Sequence, residues 1–328
     1  VFVLWPRFAD IARGGRTMKI AYLILAHNNP GHLRRLIGAL CEDWTEFYVH
    51  IDRKAPKGMF DTLGAEPRTH FIAERVSACW GGYSLVQATL NLMAAAMAEA
   101  SAPDRLVLLS GADYPIRSNR RIHDFFEGSA TEHIGMMKMP SPDGRKPLAR
   151  LETLYFEAAR GAYMPTRVLF TQTNRLLEGR YKRNYRLVLG DIQPYAGSQW
   201  WALTREAARY ILDDFIPSHP RLVGFYKRSL IPDEMFFHTI LGNSPFRGNV
   251  ARNLTYADWS RGLSRNPAPI TAAHLDRFAD PGFALDDVEG RGPCFFVRKF
   301  SEADTALLDR IDAWRSQTVP ATSMRSRA

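Results

Sequence analysis

Cysteine is scarce in this chain, and its three copies, Cys41, Cys79 and Cys294, stand far apart with no C-x-x-C pair. That argues against a disulfide-stapled scaffold and against a cysteine-ligated structural zinc site. No stretch reaches the ~18 consecutive apolar residues that a spanning helix requires. The apolar start at residues 1–5 lacks a signal-peptide layout, because Pro6, Arg7 and Asp10 follow at once. Two phosphate-binding loops are missing as well: with no G-x-G-x-x-G and no G-x-x-x-x-G-K-[ST], a dinucleotide-binding dehydrogenase and a P-loop NTPase are both disfavoured. No Asp-x-Asp follows an expected strand, and no internal repeat or low-complexity array is present.

What remains is a globular chain of 328 residues, 46% hydrophobic and 23% charged, long enough for one large domain or two small ones. Its net charge of +9 points to an anionic partner, which nucleic acid, a membrane surface or a phosphorylated substrate would equally supply.

A continuous apolar run of strand length occurs at residues 20–25, and the strand signal repeats at 47–51 (FYVHI) and 105–109 (RLVLL). Each leads into a polar or charged turn, and helical patterns follow the first at residues 33–40 and precede the third at about 85–100. Ser84 is a candidate N-cap for the latter. Alternation of buried strand and helix predicts an α/β fold with a mostly parallel central sheet and helices on both faces. In open α/β sheets ligands bind beyond the carboxyl ends of the strands, where His27, Asp52, Trp80 and Asp113 stand. Residues 150–186 turn basic and aromatic without clear periodicity, peaking at Arg180, Lys182, Arg183 and Arg186. Residues 197–203 read as a strand that sends Trp200 and Trp201 to opposite faces, one toward a pocket and one into the core. At residues 231–241, Pro232 predicts a helix start, with Asp233 and Glu234 in the first turn. Taken alone, that pair fits ordinary helix-start electrostatics as well as a rigidly held general base.

Seven stretches together resemble one family. They are 21–27 (AYLILAH), 49–52 (VHID), 80–85 (WGGYSL), 109–116 (LSGADYPI), 197–201 (GSQWW), 232–239 (PDEMFFHT) and 297–300 (VRKF). In this order they are similar to the core-2/I-branching N-acetylglucosaminyltransferases and peptide O-xylosyltransferases, especially bacterial members. The F-F-H-T and R-K-F runs favour the xylosyltransferase branch.

The resemblance implies a GT-A-type glycosyltransferase fold and an inverting, metal-independent transfer of xylose or N-acetylglucosamine from a UDP-sugar to a hydroxyl of a glycan, glycolipid or peptide. It implies Glu234 as general base and Asp233 as a neighbour that orients it or touches acceptor. Arg298 and Lys299 would neutralise the diphosphate in place of a metal ion, and no cofactor is expected. Ala26, Asp52, Ala78, Cys79 and Trp80 would line the uridine site, with Asp113, Gln199 and Trp200 nearer the phosphates and sugar. Arg180, Lys182, Arg183, Trp259 and Arg261 are weaker candidates for acceptor contact. The expected layout is an extension over residues 1–17, one catalytic domain over 18–315 with a nucleotide-binding half (18–140) and an acceptor half (141–315), and a tail over 316–328. The cysteine count and the absence of an anchor suggest a cytoplasmic enzyme, peripheral at the inner membrane face if the basic cluster meets lipid. A competing reading is a non-catalytic basic protein that binds nucleic acid or an anionic membrane through residues 180–186.

Overall fold

The computed structural model describes residues 17–64, 66–98, 102–160, 164–260, 262 and 266–316. Arg261, nearly all of the expected extension and all but the first residue of the expected tail lie outside them. In chain order the strands are β1 (Ile20–Ala26), β2 (Thr45–Ile51), β3 (Thr69–Phe71), β4 (Arg105–Ser110), β5 (Asp113–Pro115), β6 (Glu132–His133) and β7 (Met136–Lys138). They continue with β8 (Tyr195–Gly197), β9 (Ala202–Thr204), β10 (Val250–Ala251), β11 (Thr255–Ala257), β12 (Ala284–Asp287), β13 (Gly290–Pro293) and β14 (Phe296–Arg298).

The main sheet has seven strands in the order β10-β6-β9-β4-β1-β2-β3. Strands β1 to β4 run parallel, and β9 joins antiparallel to β4, which makes the sheet α/β and mostly parallel as expected. Alternation along β1 shows why both faces are covered. Ile20, Tyr22 and Ile24 enter one apolar cluster with the helices Pro30–Leu40, Asn119–Phe126 and Thr305–Arg315. Ala21, Leu23 and Leu25 enter the other, with the helices Tyr83–Ala98 and Phe236–Gly242. A strand buried on both faces must be apolar throughout, which is why these runs do not alternate. Because β1, β2 and β4 are parallel, Ala26, Asp52 and Ser110 finish on one edge of the sheet.

A second sheet, β11-β14-β5, sits beyond that edge, with β14 antiparallel to β5 so that Arg298 lies opposite Asp113. Three local expectations are corrected. The strand expected over 197–203 is two strands of different sheets, β8 and β9, and Trp200 and Trp201 sit in the loop between them. The helix expected from Pro232 is a separate 3-10 turn, Pro232–Glu234, broken from the helix Phe236–Gly242 at Met235, whose φ of -134° is not helical. Ser84 lies inside the first turn of Tyr83–Ala98 rather than at its cap, and its hydroxyl accepts from the Cys79 N–H at 2.7 Å.

Candidate active site

The ends of β1 and β2 and the loop before Trp80 are tied together by backbone and one lysine. Asp52 N–H donates to the Ala26 carbonyl at 2.8 Å, the Lys54 N–H donates to Asp52 Oδ1 at 2.8 Å, and Lys54 Nζ reaches the Ala78 carbonyl at 2.5 Å. Asp52 is nearly buried, whereas Trp80, two residues past Ala78, is 41% exposed. Cys79 is a buried free thiol, which burial pushes up from its ordinary pKa. The Arg160 guanidinium lies 4.9 Å over the Trp80 ring and donates to the Trp80 carbonyl at 2.7 Å. Glu157, from the same 3-10 turn (Glu157–Arg160), bonds to the Ser84 N–H and hydroxyl. Gly82 permits this approach, because a Cβ there would overlap the Glu157 carboxylate.

Past β4, Asp113 is fully buried. Its carboxylate accepts from the Ser110 N–H at 3.0 Å and from the Ser110 hydroxyl. Its other partner is Arg298, 3.1 Å away from Nε to Oδ1, a direct result of their opposed positions on β5 and β14. Burial pushes the Asp113 carboxyl up and the arginine opposes it. The Arg298 guanidinium also stacks on Trp200, 4.2 Å from the ring centre, a cation–π contact. Lys299 is half-buried and has no ion-pair partner among the described residues. Burial and the neighbouring Arg298 charge lower its affinity for a proton, and partial burial followed by the Lys299 charge lowers that of His27. The two neighbouring cations are therefore unequal: Arg298 is paired with Asp113, and Lys299 has no ion-pair partner among the described residues.

The loop carrying Trp200 begins against His238, in the helix that follows the carboxylate pair. At its start, a Cβ on Gly197 would overlap the Gly135 carbonyl and come within 2.8 Å of the His238 ring, so only glycine fits. Thr239 anchors the helix Phe236–Gly242 to β8 by accepting from the Tyr195 N–H at 3.1 Å and the Tyr226 hydroxyl at 2.8 Å. His238 is wholly buried, and burial followed by the Lys146 charge pushes its ring down to about 3, so it stays neutral.

Ile231 precedes the 3-10 turn in a left-handed conformation, φ 55°, which a β-branched residue rarely takes, and its N–H donates to the Gly81 carbonyl at 2.9 Å. That strained link sets the turn against the loop that follows Trp80. The two carboxylates then diverge. Glu234 sits between Lys146 Nζ and Arg150 Nη1, the latter at 2.6 Å, with the three side chains 24%, 13% and 16% exposed. Burial would raise the Glu234 carboxyl, but the two cations outweigh it and hold it below its ordinary value. Asp233 is 7% exposed, its Oδ1 has no hydrogen-bond partner, and burial together with the Glu234 charge pushes it up to about 7.

Lys146, Arg150, Ser110, Glu157, Arg160 and His238 are site residues that sequence reasoning missed. Lys146, from a loop, and Arg150, from the short helix Ala149–Glu152, stand 88 and 84 residues before Glu234, a separation with no spacing signal. Of the acceptor candidates, Arg183 is corrected to a structural role. Its guanidinium donates to the Leu151 and Phe225 carbonyls and to the Ser229 hydroxyl, and lies 4.1 Å over the Phe225 ring. Arg180 and Lys182 are exposed, Lys182 pairing with Glu152 at 3.2 Å. Trp259, 46% exposed, follows Ala257, which pairs in register with Arg298. Half-buried Gln199 adjoins Trp200 in the same loop. No metal-type cluster with Asp113 is found among the described residues; the one trio, His123, Asp124 and Glu127, starts on the helix Asn119–Phe126.

The family model described as Core-2/I-Branching enzyme matches residues 20–277, more than three quarters of the chain, and the protein belongs to that family. Relatives include mouse (Mus musculus) xylosyltransferase 2, 27% identical over 315 residues covering 91% of this chain and 34% of the relative. Rat (Rattus norvegicus) xylosyltransferase 1 is 25% identical over 336 residues, covering 97% of this chain and 38% of that protein. The chain thus spans little more than a third of the length of these relatives. Among solved structures, mouse xyloside xylosyltransferase 1 aligns at TM-score 0.35 and 12% identity over 85% of this chain and 97% of its own. The galactosyltransferase LgtC aligns at 0.39 and 11% over 92% and 98%.

Proposed function

We propose that this protein is a GT-A-type glycosyltransferase that moves xylose or N-acetylglucosamine from a UDP-sugar to a hydroxyl of a glycan, glycolipid or peptide, with inversion and without a metal ion. The observation that carries the proposal is the single loop 197–201, which carries Trp200 under the Arg298 guanidinium and at Gly197 packs on His238, in the helix Phe236–Gly242 that follows the carboxylate-bearing turn. Donor and base machinery are thereby held on one support. In the reaction the acceptor oxygen attacks the anomeric carbon while the bond from that carbon to the UDP oxygen breaks on the opposite face. The hydroxyl proton passes to a carboxylate, and no enzyme nucleophile is needed.

Charge on the departing diphosphate would be met by Lys299, with Arg298 as a fixed second cation. Asp113 is poorly suited to hold a divalent cation there, since Ser110 and Arg298 already occupy its oxygens. Asp52 and the backbone at Ala26 and Ala78 would receive the uridine, and Trp80 would cover it.

Glu234 is the proposed base. It is ionised well below neutrality, and an incoming hydroxyl would displace one of its two cations to reach it. One observation favours a second reading, with Asp233 as base: an acid titrating at about 7 is the better matched proton acceptor near neutrality. Turnover of UDP-xylose and UDP-N-acetylglucosamine by Glu234→Gln and Asp233→Asn separates the two. Loss of roughly 10²- to 10⁴-fold is expected for the true base, with the thermal shift caused by UDP retained. Wild-type turnover in both variants, or no thermal shift with UDP or any UDP-sugar, would sink the proposal.

A further inference from the structure

The helix Met164–Leu177 is inside out. Its inner face meets the 3-10 turn Glu157–Arg160 and the residue before it largely through polar groups: Asn174 bonds both the N–H and the carbonyl of Phe156, at 3.0 and 3.1 Å, and Thr171 donates to the Ala159 carbonyl at 3.3 Å. Phe170 is its one aromatic contact there, 5.3 Å from the Phe156 ring. Its outer face carries Met164, Val168, Leu169 and Leu176, each more than half exposed. At 100° per residue these four fall within one arc of about 140°. Tyr181, Leu187 and Val188 follow, so that seven of the eleven large exposed hydrophobics among the described residues lie between 164 and 188.

Charge on this stretch is equally one-sided. Residues 164–188 hold six cations (Arg167, Arg175, Arg180, Lys182, Arg183 and Arg186) against one acid, Glu178, which is more than half of the chain's net +9. All but Arg183 are exposed. The arc also holds exposed Gln172 and Arg175, and a mostly apolar face mixed with and followed by cations is the pattern of an interfacial helix, whose aliphatic side chains enter the headgroup boundary while arginines meet lipid phosphate. A protein partner would leave most of those cations unmatched unless it were strongly acidic. We propose that the face formed by Met164–Leu177 and residues 178–188 docks on a bilayer containing anionic lipid.

The position matters for the site. The turn on which this helix packs carries Arg160, which lies over Trp80 at the donor end. Docking therefore brings the mouth of the site to the bilayer surface, and if the sugar-transfer reading holds, the acceptor is a hydroxyl carried at that surface.

The test uses the full chain without nucleotide. Sucrose-loaded vesicles of phosphatidylcholine alone, or with about a third phosphatidylglycerol, are sedimented with wild type, the triple variant V168E/L169E/L176E and the control Val288→Glu, an exposed apolar position outside the stretch. Wild type and the control should sediment with anionic vesicles only, and the triple variant should bind at least about tenfold more weakly while keeping the wild-type melting temperature. Wild type failing to bind anionic vesicles, or the triple variant binding as wild type does, overturns the proposal. So does a wild-type dimer that the triple variant breaks without any vesicle binding, or binding to random DNA in place of vesicles. UDP-induced thermal shift, measured on the same samples, reports on the sugar-transfer reading independently.

Discussion

Replacing Asp233 by Asn should make the protein more stable, and by an amount that grows with pH. In the folded chain this acid titrates near 7 against an ordinary 3.8, because it is buried and because Glu234 is charged beside it. The stability tied to its proton is fully present below pH 3.8 and is lost as pH rises to about 7, since the unfolded chain gives up the proton first. At 1.36 kcal/mol per pH unit the interval from 3.8 to about 7 corresponds to about 4 kcal/mol. Asparagine resembles the protonated acid and does not titrate. The advantage of Asp233→Asn over wild type should therefore rise by about 4 kcal/mol between about pH 4 and pH 8 and level off above. Glu234 works the other way: held low by Lys146 and Arg150, it contributes stability that is present above its unfolded pKa and lost as pH falls through its lower folded one. Because both proteins keep Glu234, its contribution largely cancels in the comparison. Urea unfolding of both proteins across that range is the assay. A difference that stays flat with pH, or that shrinks toward pH 8, would refute the assignment of a strained, protonated Asp233.

Arg298→Met and Lys299→Met should fail differently. Loss of the arginine leaves Asp113 buried and unpaired, which costs roughly 3–5 kcal/mol and is read as a lower melting temperature. Loss of the lysine should leave melting nearly unchanged but weaken UDP binding, measured by calorimetry; equal effects in the two variants would contradict the unequal clamp. Turnover should be indifferent to EDTA, and strict dependence on added Mn²⁺ or Mg²⁺ would overturn metal-independent transfer.

The strands that end at the site were legible because each is buried on both faces and so is apolar through its interior, as β1 is throughout and β4 is between Arg105 and Ser110. The carboxylate pair was legible as part of a motif. What could not be read was anything set by partners far along the chain. Nothing at residue 146 or 150 announces that its charge will reach Glu234. Nor does the sequence show that Trp200 will lie on Arg298, a contact fixed only when β14 closes on β5. Residues 164–177 defeated periodicity for a different reason: Thr and Asn fill the inner face, so the apolar arc points outward and the pattern that usually marks a packed helix is absent. Arg183 misled in the opposite sense, since a charge within a basic cluster reads as surface while here it braces three backbone and side-chain oxygens.

The pairing of Asp113 with Arg298 bears on how the molecule is made and cut. Asp113 leaves the ribosome 185 residues before its counter-ion, so β5 cannot settle with its charge compensated until β14 has been synthesised. A truncation at residue 277, where the family match stops, would retain the sheet's strand ends and both carboxylates of the 3-10 turn. It would lack the cation that compensates Asp113 and the strand that joins β5 to β11. The smallest piece worth expressing therefore runs past β14, beyond the boundary that sequence similarity alone would draw.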